Sequence, residues 1–131
     1  MYTSSPFNRH AANAYKQVGV QSVVDGASPH TLIQLLFDAL ETSLNAAKGA
    51  MQRGEVEEKG RQIGKAVRIL EEGLKAALNP EQGGEIAENL ASLYNYSITQ
   101  LTLSNLRNDV ALLENVQSVL APVAQGWREI G

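Results

Sequence analysis

Cysteine is absent from this chain of 131 residues, and histidine and aromatic residues are scarce. Without cysteine the chain offers no disulfides, thiolate metal ligands or thiol nucleophiles. The two histidines, His10 and His30, do not belong to a Glu-x-x-His pair of the kind that builds a di-iron site in a helical bundle. No glycine-rich loop with a lysine is present to hold phosphates. We therefore predict a protein that is not an enzyme and uses no metal or other cofactor.

A large charge surplus and long apolar runs are also missing. Fourteen acidic and eleven basic residues give a net charge of -3. Nucleic-acid binders carry a basic surface, so we expect no nucleic-acid partner. No apolar run reaches the roughly 18 residues of a membrane span, and the first ten residues lack the pattern of a signal peptide. These absences predict a cytoplasmic protein.

Apolar residues instead recur at spacings of three and four, which is the pattern of packed amphipathic helices. Ser28 and Pro29 predict the start of the first helix, because serine caps free amides and proline is tolerated at the first helical position. This helix should end near Gly54. Three more helices are predicted: one from Val56 to the breakers Asn79-Pro80 and Gly83-Gly84, one from Ile86 to Ser104, and one from the Asn108-Asp109 cap to Trp127.

Four long helices with short connections predict an all-α fold, an antiparallel four-helix bundle. We assign residues 28–131 to the bundle domain. Residues 1–27 are predicted to be a flexible leader with a short helical or extended segment that packs on the bundle as an N-terminal cap. Pro122 interrupts the last helix, because it lacks a backbone donor and clashes with the preceding turn at Ser118. We expect it to kink or shorten that helix.

The chain has more apolar side chains than one bundle core requires. Tyr94 and Tyr96 are two positions apart, so they lie on different faces of one helix. At ~100° per residue, Tyr94 faces inward, whereas Tyr96 and Leu103 lie on nearly the opposite side with Leu106 at their edge. This outward set is the first predicted partner-binding strip.

A second strip is predicted on the preceding helix, where Ala66, Ile69, Gly73 and Ala76 form a row of small residues around one isoleucine. Such a row lets another helix approach closely. Phe37 lies at the edge of the core stripe of the first helix. Single exposed apolar side chains are normal, but the whole set predicts a surface that binds an amphipathic helical segment of a partner.

Two apolar residues of the leader, Tyr15 and Val18, are also candidates for this surface. The leader either covers a groove and leaves it when the partner binds, or completes the bundle core. The sequence leaves both interpretations open.

Sequence blocks in a characteristic order resemble one protein family. They are Ala14-Tyr15-Lys16-Gln17, Ala27-Ser28-Pro29-His30-Thr31-Leu32-Ile33-Gln34-Leu35-Leu36-Phe37-Asp38, Gly83-Gly84-Glu85-Ile86-Ala87-Glu88-Asn89-Leu90 with Leu93-Tyr94-Asn95-Tyr96, and a last helix that ends near Trp127. Across residues 14–127 the chain resembles the flagellin-specific export chaperones, the FliS family. Tyr15 is the one partner-binding position that the resemblance itself supplies.

The resemblance implies a cytoplasmic chaperone that binds the disordered C-terminal region of flagellin and prevents premature polymerisation. It also implies assistance in delivery to the flagellar type III export apparatus, where a gate component is a second partner. The alternative is a structural or regulatory bundle that self-associates through the same strips, as a homodimer when free. A phosphorelay module is rejected, because it needs an exposed mid-helix histidine, whereas His30 lies in a first helical turn and His10 in the leader.

Overall fold

A computed structural model describes residues 26–130, which fold into four helices. The helices are α1 (Pro29–Arg53), α2 (Val56–Arg68), α3 (Pro80–Arg107) and α4 (Val110–Glu129), and a π-helical segment (Ile69–Lys75) continues α2. Within residues 26–130 no β-strand is formed. The predicted all-α four-helix architecture is confirmed. The predicted N-terminal cap segment lies outside the described residues.

Side-chain contacts between helices show that neighbours run antiparallel. His30 at the start of α1 contacts Trp127 near the end of α4, whereas Lys48 farther along α1 pairs with Glu114 near the start of α4. One end of the bundle therefore holds the start of α1 and the end of α4. The opposite end, which we call the hairpin end, holds the α1–α2 turn at Gly54 and the α3–α4 turn at Asn108.

Local capping chemistry sets most helix boundaries. The Ser28 side chain accepts a hydrogen bond of 3.1 Å from the Thr31 amide, and Pro29 occupies the first position of α1. Gly54 ends α1 in the left-handed conformation with φ 71°, which glycine adopts without steric cost. Asp109 caps α4 by accepting from the Ala111 amide at 3.0 Å. These three predicted boundaries are confirmed.

The start of α3 differs from the prediction. Asn79 Oδ1 accepts from the Glu81 and Gln82 amides at 3.0 and 3.2 Å, so α3 begins at Pro80 rather than after the glycine pair. Gly84 then departs from helical geometry with φ 53° and ψ -127°. The predicted break is therefore real, but it lies inside α3, one turn after its start.

The core is built from all four helices and the π-helical segment. Its largest fully buried side chains are Leu36, Ile69, Leu70, Leu74, Tyr94, Leu101, Leu113 and Val116. Ser97 and Ser104 are also fully buried, and their hydroxyls donate to the carbonyls of Leu93 at 2.9 Å and Asp109 at 2.7 Å. Such bonds remove the cost of burying a hydroxyl. Tyr94 is fully buried and so faces inward, as predicted.

The predicted small-residue strip is wrong as a description of the surface. Ala66, Ile69 and Gly73 are buried, and Ala76 is half-buried. Ala66 lies in the regular part of α2, so more of this helix is covered by its neighbours than the predicted core stripe implied. From Ile69 onward the π-helical segment adds to the difference, because its i→i+5 hydrogen bonds put more residues in each turn than the ~100° projection assumes. Contact between these residues and a partner stays a prediction, and it would require this part of the core to open.

Pro122 does not shorten the last helix. α4 runs from Val110 to Glu129 with Pro122 inside it, so of the two expected effects, a kink or a shortened helix, shortening does not occur. Both Pro122 and Ser118 are exposed. Water can therefore hydrate the Ser118 carbonyl, which loses its helical donor to the proline. The helix continues because this loss occurs on the solvent side.

None of the helices within residues 26–130 combines the length and the apolar character needed to cross a membrane.

Candidate functional site

An apolar cavity of about 310 Å³ opens at the end of the bundle opposite the hairpin end. We call it the terminal groove and define it by its lining residues: Phe37, Ile86, Leu90, Pro122, Val123, Gly126, Trp127 and Ile130. None of these side chains is charged. Ile86 and Ile130 are 61% and 69% exposed, although both are large and aliphatic. The groove therefore presents apolar surface to solvent at a concave site.

The groove forms where the helices stop covering one another. In α4 the buried side chains are Leu113, Val116 and Leu120, so the last turns of the helix contribute only partly covered or exposed side chains. On the facing side, Ile86 lies two residues after the non-helical Gly84. A Cβ atom added at Gly126 would have no atom within 4 Å. The space on that side of Gly126 is therefore open.

Phe37 connects this groove with a second, smaller cavity. The second cavity measures about 60 Å³ and lies between α1 and α4. Its lining residues are Phe37, Leu40, Glu41, Leu44, Gln117, Leu120, Ala121 and Ala124. The Phe37 side chain is itself buried. This predicted site residue therefore lies in the wall that the two cavities share, and only a small part of its side chain is accessible to a ligand.

The Trp127 wall of the groove is joined to the first turn of α1. The His30 and Trp127 rings are stacked with centroids 4.7 Å apart and an interplanar angle of 13°. His30 Nε2 lies 2.8 Å from the Trp127 carbonyl oxygen, and Trp127 Nε1 donates to the His30 carbonyl at 3.0 Å. Both residues are half-buried. Two residues distant in sequence are thus held together by three contacts.

The predicted strip on α3 is separate from the groove and lies outside the core. Tyr96 is 41% exposed and donates from its hydroxyl to Asn115 Oδ1 at 2.6 Å, a contact to α4 that the sequence did not predict. Leu103 is half-buried and Leu106 is 80% exposed. We call Tyr96, Leu103 and Leu106 the α3 strip. Tyr96 lies ten residues beyond Ile86, or about 15 Å along the helix axis.

The structure therefore gathers only part of the predicted site. Phe37 lines the groove, the α3 strip lies at a distance from it, and Tyr15 and Val18 fall outside the described residues. The other seven groove residues were missed. Two of them, Ile86 and Trp127, were predicted only as helix boundaries. The one available signal was the pair Pro122 and Gly126, which interrupts the apolar stripe near the end of the last helix.

Charged groups take no part in the groove. Within residues 26–130 no three metal-ligating side chains form a cluster. Surface ion pairs join Lys75 to Glu71 at 3.3 Å and Arg61 to Glu58. The Arg53 side chain donates to Glu55 at 3.0 Å and holds the pKa of that carboxyl below its ordinary value, but this pair lies at the hairpin end. The groove can bind apolar surface and offers no acid–base chemistry.

Comparison with known proteins gives one consistent family. A family model described as "Flagellar protein FliS" matches residues 11–131. The chain is 45% identical over 130 residues to the flagellar secretion chaperone FliS of Salmonella typhimurium, covering 99% of this chain and 93% of the relative. It is 45% identical over 117 residues to FliSB of Pseudomonas aeruginosa, covering 89% and 92%. The match to FliS of Escherichia coli is 39% identical over 116 residues, covering 88% and 85%.

Proposed function

Because this chain belongs to the FliS family of flagellar secretion chaperones, we propose that it binds the disordered C-terminal region of flagellin in the cytoplasm. Binding would cover the segment that drives filament assembly and so prevent premature polymerisation. The complex would then be delivered to the flagellar type III export apparatus, where a gate component is the second partner. The family is one of chaperones, not of enzymes.

The observation that carries this proposal is the terminal groove. Burying apolar surface yields roughly 25 cal/mol per Å², so a concave site that leaves Ile86 and Ile130 in solvent is a place where a partner gains binding energy. Concave apolar surfaces on soluble proteins commonly mark such sites. The uncharged lining of the groove favours the apolar face of an amphipathic helix over a charged ligand.

The spacing of the apolar features favours a long partner segment. The α3 strip begins about 15 Å along α3 from Ile86, so a small molecule in the groove cannot reach it. A disordered tail that folds into helices on the bundle can contact both places. Coupled folding of this kind buries on the order of 1,000–3,000 Å² and loses several kcal/mol to chain ordering. Such binding is specific and still reversible, as export requires.

The leader residues Tyr15 and Val18 complete the proposal. They either contact the tail or cover the apolar surface until the tail arrives. Both roles rest on the sequence, since these residues lie outside the described part of the chain.

A direct test compares intact flagellin with flagellin that lacks its C-terminal region. The dissociation constant of each is measured by isothermal titration calorimetry with the same preparation of this protein. The proposal predicts that truncation abolishes binding. Equal affinity for both forms would rule out the tail-binding function.

Self-association is the second candidate, because Ile86, Leu106 and Ile130 are exposed at two separate places on the bundle. A homodimer through these residues would bury them without flagellin. Size-exclusion chromatography over a range of protein concentrations separates the two functions. A dimer that the flagellin C-terminal peptide does not dissociate favours self-association, whereas a monomer that forms a one-to-one complex favours the chaperone.

A further inference from the structure

We propose that His30 is a positioning residue for the terminal groove. It holds the Trp127 indole in place as a groove wall, although His30 itself does not line the groove. This inference rests on the proposed function for its effect on flagellin binding. Its effect on Trp127 can be measured without any partner.

The contact between the two residues fixes both the position and the rotation of the indole. A single hydrogen bond would leave the ring free to turn about it. Here the Trp127 Nε1–H donates to the His30 carbonyl at 3.0 Å, and the His30 ring stacks on the indole at 4.7 Å with planes 13° apart. The indole therefore has one preferred orientation, and its remaining surface forms part of the groove lining.

The same contact joins the end of α4 to the start of α1. Trp127 lies in the last turn of α4, and His30 Nε2 donates to its carbonyl oxygen across 2.8 Å. Among the described residues after Leu120 none is buried, so the core covers this turn only in part.

The hydrogen bond places a requirement on the His30 ring, because donation to the Trp127 carbonyl needs a proton on Nε2. The role of His30 is to position the indole. A side chain that must be ordered during binding weakens affinity, and for one released ring we expect a loss of about two- to tenfold.

The test uses tryptophan fluorescence, because Trp127 is the only tryptophan in the chain. In His30→Ala, acrylamide quenching of the free protein should rise about twofold, and the affinity for the flagellin C-terminal peptide should fall about fivefold. The helical circular dichroism should stay unchanged. The control Gln52→Ala changes an exposed residue at the far end of the same helix, and both readouts should match the wild type.

Two further variants separate the parts of the contact. His30→Phe keeps the ring stack without the donor, and His30→Gln keeps a donor without the ring. Each should restore part of the protection of Trp127, and both remain usable if His30→Ala fails to fold. Wild-type quenching in all three variants overturns the proposal, as does wild-type affinity in a variant with increased quenching. If the peptide does not bind even the wild type, the proposed function fails, and the quenching series still decides whether His30 holds Trp127.

Discussion

The hairpin end of the bundle differs from the end that holds the terminal groove, which we call the groove end, in the hydrogen bonding of its polar groups. At the hairpin end, Lys59 is only 7% exposed and donates to the Asn105 carbonyl at 3.1 Å and to Asn108 Oδ1 at 3.2 Å. Its charge lies at the C-terminal end of α3, where the helix dipole favours a cation. Asn108 adopts the left-handed conformation with φ 52° and ends the helix. Polar contacts therefore close this end.

The groove end has an apolar cavity where the hairpin end has polar contacts. Both ends expose large aliphatic side chains, since Val56 and Leu106 near the hairpin end are as exposed as Ile86 and Ile130. The difference is therefore the concave shape and not apolar exposure alone. The comparison teaches that both ends expose apolar side chains, and that only the groove end arranges them around a cavity.

The largest expected effect lies at the hairpin end and concerns stability alone. Lys59→Ala leaves the Asn105 carbonyl without its charged donor, and we expect a loss of about 2 kcal/mol in the free energy of unfolding. Urea denaturation measures this. Arg68→Ala changes an exposed residue of the same helix and should change stability by no more than about 0.5 kcal/mol. A larger loss of peptide binding than of stability in Lys59→Ala would break the distinction between the ends.

Substitution by alanine should have opposite effects on stability at Gly84, near the start of α3, and at Gly64, inside α2, because only Gly84 has a strained backbone. Gly84 has φ 53°, so Gly84→Ala should lower the free energy of unfolding by about 1–2 kcal/mol even though no atom blocks the new methyl group. Gly64 lies inside α2 with equally open surroundings, so Gly64→Ala should raise stability by roughly 0.5–1 kcal/mol. Thermal unfolding of both variants tests whether their changes in stability have opposite signs. If both substitutions stabilise, the break inside α3 does not exist in solution.

Filling the groove should affect binding and leave stability intact. Gly126→Leu places a side chain in the empty part of the groove, and we expect at least a tenfold loss of affinity for the flagellin C-terminal peptide, or about 1.4 kcal/mol. The matched control is Gly126→Ala, which should gain up to about 1 kcal/mol of stability from helix propensity and keep most of the binding. Unchanged affinity in Gly126→Leu, measured by fluorescence anisotropy, would show that the tail binds elsewhere.

The smallest expected effect concerns the α3 strip. Changing both Tyr96 and Leu103 to Ser should weaken peptide binding about threefold while thermal stability falls only slightly, because neither side chain belongs to the core. Loss of the Tyr96 hydrogen bond to Asn115 accounts for part of that small decrease. A collapse of thermal stability with unchanged binding would show that the strip is structural.

Local chemistry made much of the fold predictable. Ser28, Gly54 and Asp109 each determine a helix end through their own side chain or backbone conformation, so the sequence near them was sufficient. The periodicity of apolar residues indicated four helices in the same way. Asn79 was interpreted as the end of one helix and proved to be the cap of the next. Capping residues lie between two helices, and the pattern alone does not tell which one they serve.

The site was harder to predict because its features depend on packing. The projection assigned Ala66, Ile69 and Gly73 to the surface, but neighbouring helices cover that side of α2 and of the π-helical segment, and the sequence carries no local signal of this packing. Ile86 lies on the apolar stripe of α3 and is nevertheless exposed, because no neighbouring helix covers it at that level. A stripe shows which face is apolar. Only the lengths and ends of the neighbouring helices decide where that face remains uncovered.

Methyl NMR of the full-length protein tests most directly whether the terminal groove is the flagellin site. The protein is labelled at the methyl groups of isoleucine, leucine and valine and titrated with the flagellin C-terminal peptide. The groove model predicts that the methyl signals of Ile86, Val123 and Ile130 shift, whereas that of Val56 at the hairpin end does not. Shifts centred on Val56 and Leu106, with the groove signals unchanged, would contradict it.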